Sequence, residues 1–196
     1  MLGSNGILKA IEKGDIWIYP FNIESLQPNS YDVSLDTQFY TLRKVNSRYR
    51  NLYIVTGDPS LELLWYGPRT MTNSYGNFIE IEPHSMILAA TAEIVGAYRN
   101  YTTLLKAKST IARLCLDICA SAGFGDVGFV NKWTLEIVNH SDRLVHIPVG
   151  TKVAQVAFSP IEGQGDVYSG SYLQQKEWTP EQMLPVVKPS MFLKGL

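Results

Sequence analysis

Between residues 15 and 160 the chain repeats one pattern: short runs of alternating apolar and polar residues, divided by turn residues. Asp15-Ile16-Trp17-Ile18-Tyr19 alternates and stops at Pro20. Tyr31-Asp32-Val33-Ser34-Leu35 alternates again, and Phe78-Ile79-Glu80-Ile81-Glu82 does so most cleanly. Met86 to Ile94, Tyr101 to Lys106, and the stretches 116–122, 133–139, 144–147 and 152–158 read as further strands. Asn139-His140-Ser141-Asp142, Pro148-Val149-Gly150 and Ser159-Pro160 supply turns. A period of two sends every second side chain to one face of a sheet. Many short strands at regular spacing predict a mainly β sandwich or barrel, with one or two short helices. One helix is expected near the start, capped by Ser4 or Asn5, striped by Ile7, Leu8 and Ile11, and ended by Gly14. The other is expected over Ser109 to Leu114.

Such a fold needs a core, and the composition supplies one. Of 196 residues, 45% are hydrophobic and only 18% charged, which excludes intrinsic disorder. A chain of this length buries roughly 70% of its unfolded surface, enough to stand without disulfides or metal. Its formal net charge is −1, so no overall basic field exists to hold a nucleic-acid duplex, and no nucleic-acid partner is expected. Cys115 and Cys119 sit four apart in an apolar stretch. They read as core thiols ahead of half a metal site or a redox pair, because His84, His140 and His146 form no ligand-spaced pair. Met1 to Gly14 carries no leader-like apolar run, and no stretch approaches the ~20 apolar residues of a membrane span. A cytoplasmic protein without a membrane partner is the expectation.

Two regions break the pattern. Arg43, Lys44, Arg48 and Arg50 form a positive run, followed by strand-like Tyr53-Ile54-Val55 and Leu61-Leu63-Trp65 around Gly57-Asp58-Pro59. This middle stretch reads as a hairpin or excursion. After residue 162 glycine and glutamine dominate, so 1–162 reads as the folded domain and 163–196 as a tail.

Three stretches could carry chemistry. In Lys108-Ser109-Thr110-Ile111-Ala112-Arg113, a helix start with a lysine and two hydroxyls suits an anion such as phosphate, although an ordinary capped helix fits as well. In Trp133-Thr134-Leu135-Glu136-Ile137-Val138-Asn139, Glu136 faces away from Trp133, Leu135 and Ile137. It is either exposed, or buried beside Arg113 as a paired carboxylate able to move protons. In Ala120 to Phe129, small residues and glycines allow backbone to approach a ligand, and Asp126 could accept a sugar hydroxyl; a plain glycine-rich hairpin is the alternative.

Taken together, these stretches resemble the dCTP deaminases, within the dUTPase superfamily. Gln27-Pro28-Asn29-Ser30-Tyr31-Asp32-Val33-Ser34-Leu35 is similar to the family's QPxSxDxxL segment, and Lys108 to Arg113 to its RSSLAR box. Ala122 to Asn139 resembles AGxIDPGFxGxxTLExxN, Pro148 to Val156 resembles xPGxxIxQ, and Tyr172 with Gln175 resembles KYxxQ. The resemblance implies a distorted β-barrel or jelly-roll subunit in a homotrimer with shared active sites. It implies hydrolysis of dCTP to dUTP and ammonia without zinc, with Mg²⁺ accompanying the triphosphate, and dTTP as an inhibitor. It implies Glu136 as proton shuttle, with Ser109 and the Ala122 carbonyl holding the attacking water. Arg113 would orient Glu136 and stabilise developing charge. Lys108, Ser109 and Thr110 would bind phosphate and Asp126 the 3′-hydroxyl. Tyr172 and Gln175 would close the tail over the nucleotide. Val127, Asn131 and Ser171 depart from the family pattern, and Val127 in place of proline predicts a looser turn. A bifunctional enzyme forming dUMP and pyrophosphate, a dUTPase-like pyrophosphatase and a non-catalytic nucleotide-binding regulator are the alternatives. Glu136 within Thr-Leu-Glu favours a deaminase.

Overall fold

The computed structural model describes residues 1–42, 65–74, 76–163 and 166–169. The expectations for residues 43–64, Ser171, Tyr172, Gln175 and 185–196 lie outside the described residues.

Alternation builds the strands where it was expected. Strands β1 (Ile16–Tyr19), β2 (Tyr31–Leu42), β6 (Met86–Ala97), β7 (Tyr101–Ala107), β10 (Val130–Asn139) and β12 (Lys152–Pro160) form the body of a nine-stranded sheet. It runs β8-β10-β6-β2-β12-β7-β9, with short β8 (Leu116–Asp117) and β9 (Phe124–Gly125) at its ends. Off this path, β1 pairs with β6, and β3 (Trp65–Arg69) with β2. A smaller sheet of β11 (Val145–Pro148), β5 (Gly76–Ile81) and β4 (Met71–Asn73) covers it. Ile79, Ile81 and Ile147 of the small sheet join Val33, Leu35, Phe39, Leu135, Ile137 and Val156 of the large one in a single buried cluster. Two sheets closing on one core give the expected mainly β, barrel-like class.

Helix α1 (Ser4–Glu12) tucks Ile7 and Ala10 into that core, and Gly14 ends it at φ +71°. Its N-cap is Gly3, without a side-chain cap bond, rather than Ser4 or Asn5. Two expectations fail around residue 115. Helix α2 covers only Ser109–Ala112 (its N-cap is Lys108), and the strand over 116–122 shrinks to β8. Cys115, Ala120 and Ser121 adopt positive φ values of 61°, 36° and 90°, which neither helix nor strand accommodates. The cysteines also divide: Cys119 is buried, whereas Cys115 is exposed.

Phe39 shows how the core is held. It is fully buried, pairs in register with Ala89 and Arg69, and lies 5.6 Å beneath the Arg69 guanidinium. Phe39→Ala is expected to cost about 3–5 kcal/mol by urea unfolding, because a ring-sized void opens between both sheets.

Candidate active site

The sheet is irregular in the one place where polar groups gather. Between Lys132 and Thr134 the β10–β6 register shifts, leaving Thr91 to Glu93 without regular partners on β10. Trp133 N–H instead donates to the Thr91 hydroxyl at 2.9 Å, and that hydroxyl donates to the Glu93 carbonyl at 2.7 Å. The Glu93 carboxylate accepts the Ser34 N–H at 2.8 Å. Bulges of this kind re-aim side chains beside functional sites. Here the bulge seats the Trp133 ring, with its indole N–H on the Val95 carbonyl at 3.1 Å.

Over this bend lies a cavity of about 240 Å³. Its walls bring together Ala122, Asp126 and Glu136, three residues expected from sequence to share a site. Phe124, Phe129, Trp133 and Tyr168 add aromatic surface, a lining suited to a planar base. The turn Asp126 to Phe129 is closed by Phe129 N–H on the Asp126 carbonyl at 3.0 Å, with Gly128 at φ +87°. A glycine with positive φ at the third position is what a type II turn requires. Val127 is buried, and its carbonyl accepts the Tyr168 N–H at 2.8 Å. Hydrogen bonds thus close this turn without the proline.

Glu136 is the outstanding group in the cavity. Its Oε2 is buried without a hydrogen-bond partner. Burial raises its pKa from 4.5 to about 7 and the Asp117 carboxylate pushes the same way, while a hydrogen bond from its own backbone N–H opposes them. An acid poised there can give or take a proton near neutral pH. Sequence periodicity places Glu136 on the correct face, but the cover of that face, loop 122–129 and Tyr168, comes from elsewhere in the chain. Tyr168 and Lys132 are cavity residues that sequence reasoning did not single out. A lone tyrosine in a glycine-rich segment carries no periodic signal.

The Lys108-to-Arg113 box does not line this cavity. Ser109, Thr110 and Arg113 are exposed on and after α2. The expected pairing of Arg113 with Glu136 is not formed within one chain. Lys108 points to Asp32, its Nζ 2.5 Å from Oδ2, with Asp32 itself almost fully buried and its Oδ1 unpartnered. Lys132, which lines the cavity, is likewise bound to Asp36 at 2.6 Å. Among the described residues no group of three His, Cys, Asp or Glu side chains is placed to hold a metal ion. No helix among them is long and apolar enough to cross a membrane.

A curled, mainly β fold with a buried glutamate behind a glycine turn defines the class. The solved 2′-deoxycytidine 5′-triphosphate deaminase of Agrobacterium tumefaciens has the same fold, with a TM-score of 0.58 at 14% identity, over 80% of this chain. The chain covers 47% of that solved chain's length. A model of the dCTP deaminase-like family matches residues 1–161, and the chain belongs to this family. Among its relatives, a protein of Aquifex aeolicus named dCTP deaminase, dUMP-forming, is 28% identical over 184 residues, covering 93% of this chain and 94% of that protein. A protein of the same name from Corynebacterium glutamicum strain R is 30% identical over 171 residues, covering 87% and 86%.

Proposed function

We propose that this chain hydrolyses the amino group of dCTP and carries the product on to dUMP and pyrophosphate. The observation that carries the deamination step is Glu136: a carboxyl with one buried, unpartnered oxygen and a pKa near 7, in a cavity lined by aromatic rings. Water adds to the ring carbon bearing the amino group. Glu136 gives its proton to the adjacent ring nitrogen, takes the first proton that the water loses, passes it to the departing amino group, and recovers a proton from the hydroxyl that becomes the new carbonyl. The Ala122 carbonyl, at the cavity wall, holds the water, and Asp126 accepts the 3′-hydroxyl.

The dUMP product, rather than the dUTP expected from sequence, is favoured by the dUMP-forming names of the relatives. Mg²⁺ fits the second step as an ion held by the triphosphate, where it neutralises phosphate charge and stabilises the leaving pyrophosphate. Lys108 contributes the donors left after Asp32 takes one, with Ser109 and Thr110 beside it.

The site is completed between subunits of a homotrimer, in the cytoplasm. Support comes from the separation just described: Arg113 and Ser109 are exposed, while Glu136 stands unpaired in a different wall. Mixing Glu136→Gln with Arg113→Ala after co-refolding tests this together with the chemistry. If sites are shared, the mixture regains roughly a quarter of wild-type ammonia release, because some sites contain neither substitution. A mixture as inactive as both parents overturns the sharing. Wild-type protein that releases no ammonia from dCTP overturns the deamination.

A further inference from the structure

The back of Glu136 is as informative as its cavity face. Strand β6 offers it only Leu88 as register partner. On the other side β8 pairs with β10, and Asp117 stands directly opposite Val138. Opposed residues in an antiparallel pair share a face, and Val138 shares its face with Glu136. Asp117 is thus the diagonal cross-strand neighbour of Glu136, roughly 7 Å away. It is fixed there: its Oδ1 accepts the Cys119 N–H at 3.2 Å. It does not line the cavity.

The other charged or titratable groups around Glu136 do not take this place. Lys132 is paired with Asp36, and Asp126 lies at the exposed rim with Tyr168. Cys119 is buried, and burial pushes its thiol up, so it stays neutral. Lys106 on β7 and Arg113 at the end of α2 are exposed.

We propose that Asp117 is a positioning residue for the reaction: a second carboxylate across the β8–β10 ladder that keeps Glu136 carrying its proton in the free enzyme. This rests on the function proposed above. Two like charges on neighbouring strands in a half-buried setting disfavour joint ionisation, so the more buried carboxyl holds the proton.

The test is the pH dependence of kcat/KM for dCTP in the wild type, Asp117→Asn and Asp117→Glu. Asparagine keeps the acceptor for the Cys119 N–H but removes the charge. The limb governed by Glu136 is expected to move down by about one pH unit in Asp117→Asn. KM at the optimum should stay within about twofold, and Asp117→Glu should restore the limb. An unmoved limb in folded Asp117→Asn overturns the proposal. So does a loss that glutamate fails to rescue, or one carried by KM alone, since these mark a structural role. The carboxyl resonance of ¹³C-labelled Glu136 is titrated in parallel, in Asp117→Ser if the asparagine variant does not fold. It reads the same shift without turnover, so it decides this inference even if wild-type protein leaves dCTP intact and the proposed function falls.

Discussion

Glu136→Gln is expected to lower ammonia release from dCTP by about 10²–10⁴-fold, the usual weight of a general acid–base group. Nucleotide binding should persist, because glutamine fills the same volume against the same rings. The same substitution should stabilise the fold. In the wild type the folded pKa of Glu136, about 7, lies above its ordinary value of 4.5, so ionising it opposes folding. The sign follows: folding stability contributed by this group is highest at acid pH and falls as pH rises from about 4.5 to about 7. Removing the carboxylate should therefore raise stability at pH 8 by up to about 3 kcal/mol, and leave it nearly unchanged at pH 4. Urea unfolding at both pH values reads the difference. A variant that loses activity and stability together would show that Glu136 is a structural group.

Gly96→Ala should give the largest loss of stability among single-methyl additions. Gly96 sits in β6 opposite Val130, and a Cβ there would lie 2.0 Å from the Phe129 carbonyl oxygen and 2.5 Å from the Val130 Cα. Both are backbone atoms, so neither can rotate away. The sheet must open, and the strand that opens is β10, directly beyond the Asp126–Phe129 turn. A cost of about 3 kcal/mol or more is expected, with turnover falling in step as the cavity wall moves. Gly14→Ala serves as a control: its φ is positive at +71°, unlike that of Gly96, but a Cβ there meets nothing within 4 Å. Thermal unfolding of both variants should separate crowding from backbone strain, with Gly96→Ala far the worse.

These two residues also mark what was legible in the chain itself. Glu136 could be placed on a strand and on the correct face, since Trp133, Leu135 and Ile137 define the opposite one. Its burial could not, because that depends on Ala122, Phe124 and Tyr168 arriving from other segments. Alternation announced β5, β6, β7, β10 and β12 within a few residues. It failed at 116–122, where positive φ at Ala120 and Ser121 replaces a strand with tight turns, a feature no apolar pattern reports. It also missed the far half of β2, where Asp36 to Gln38 break the alternation but stay in the strand beside the bulge. The ion pairs of the basic residues were illegible for a related reason: Lys108 and Lys132 meet their partners Asp32 and Asp36 across 76 and 96 positions of chain. Arg113, expected beside Glu136, remains exposed in the single chain, and that separation supports a site built from two subunits.

The most direct test of the account is the identity of the nucleotide formed when purified protein meets dCTP and Mg²⁺, resolved by chromatography, with a parallel incubation on dUTP. dUMP and pyrophosphate are expected from dCTP, with ammonia in equal amount. dUTP accumulating without dUMP would contradict the second step, and dCTP left intact while dUTP is cleaved would contradict the deamination assigned to Glu136.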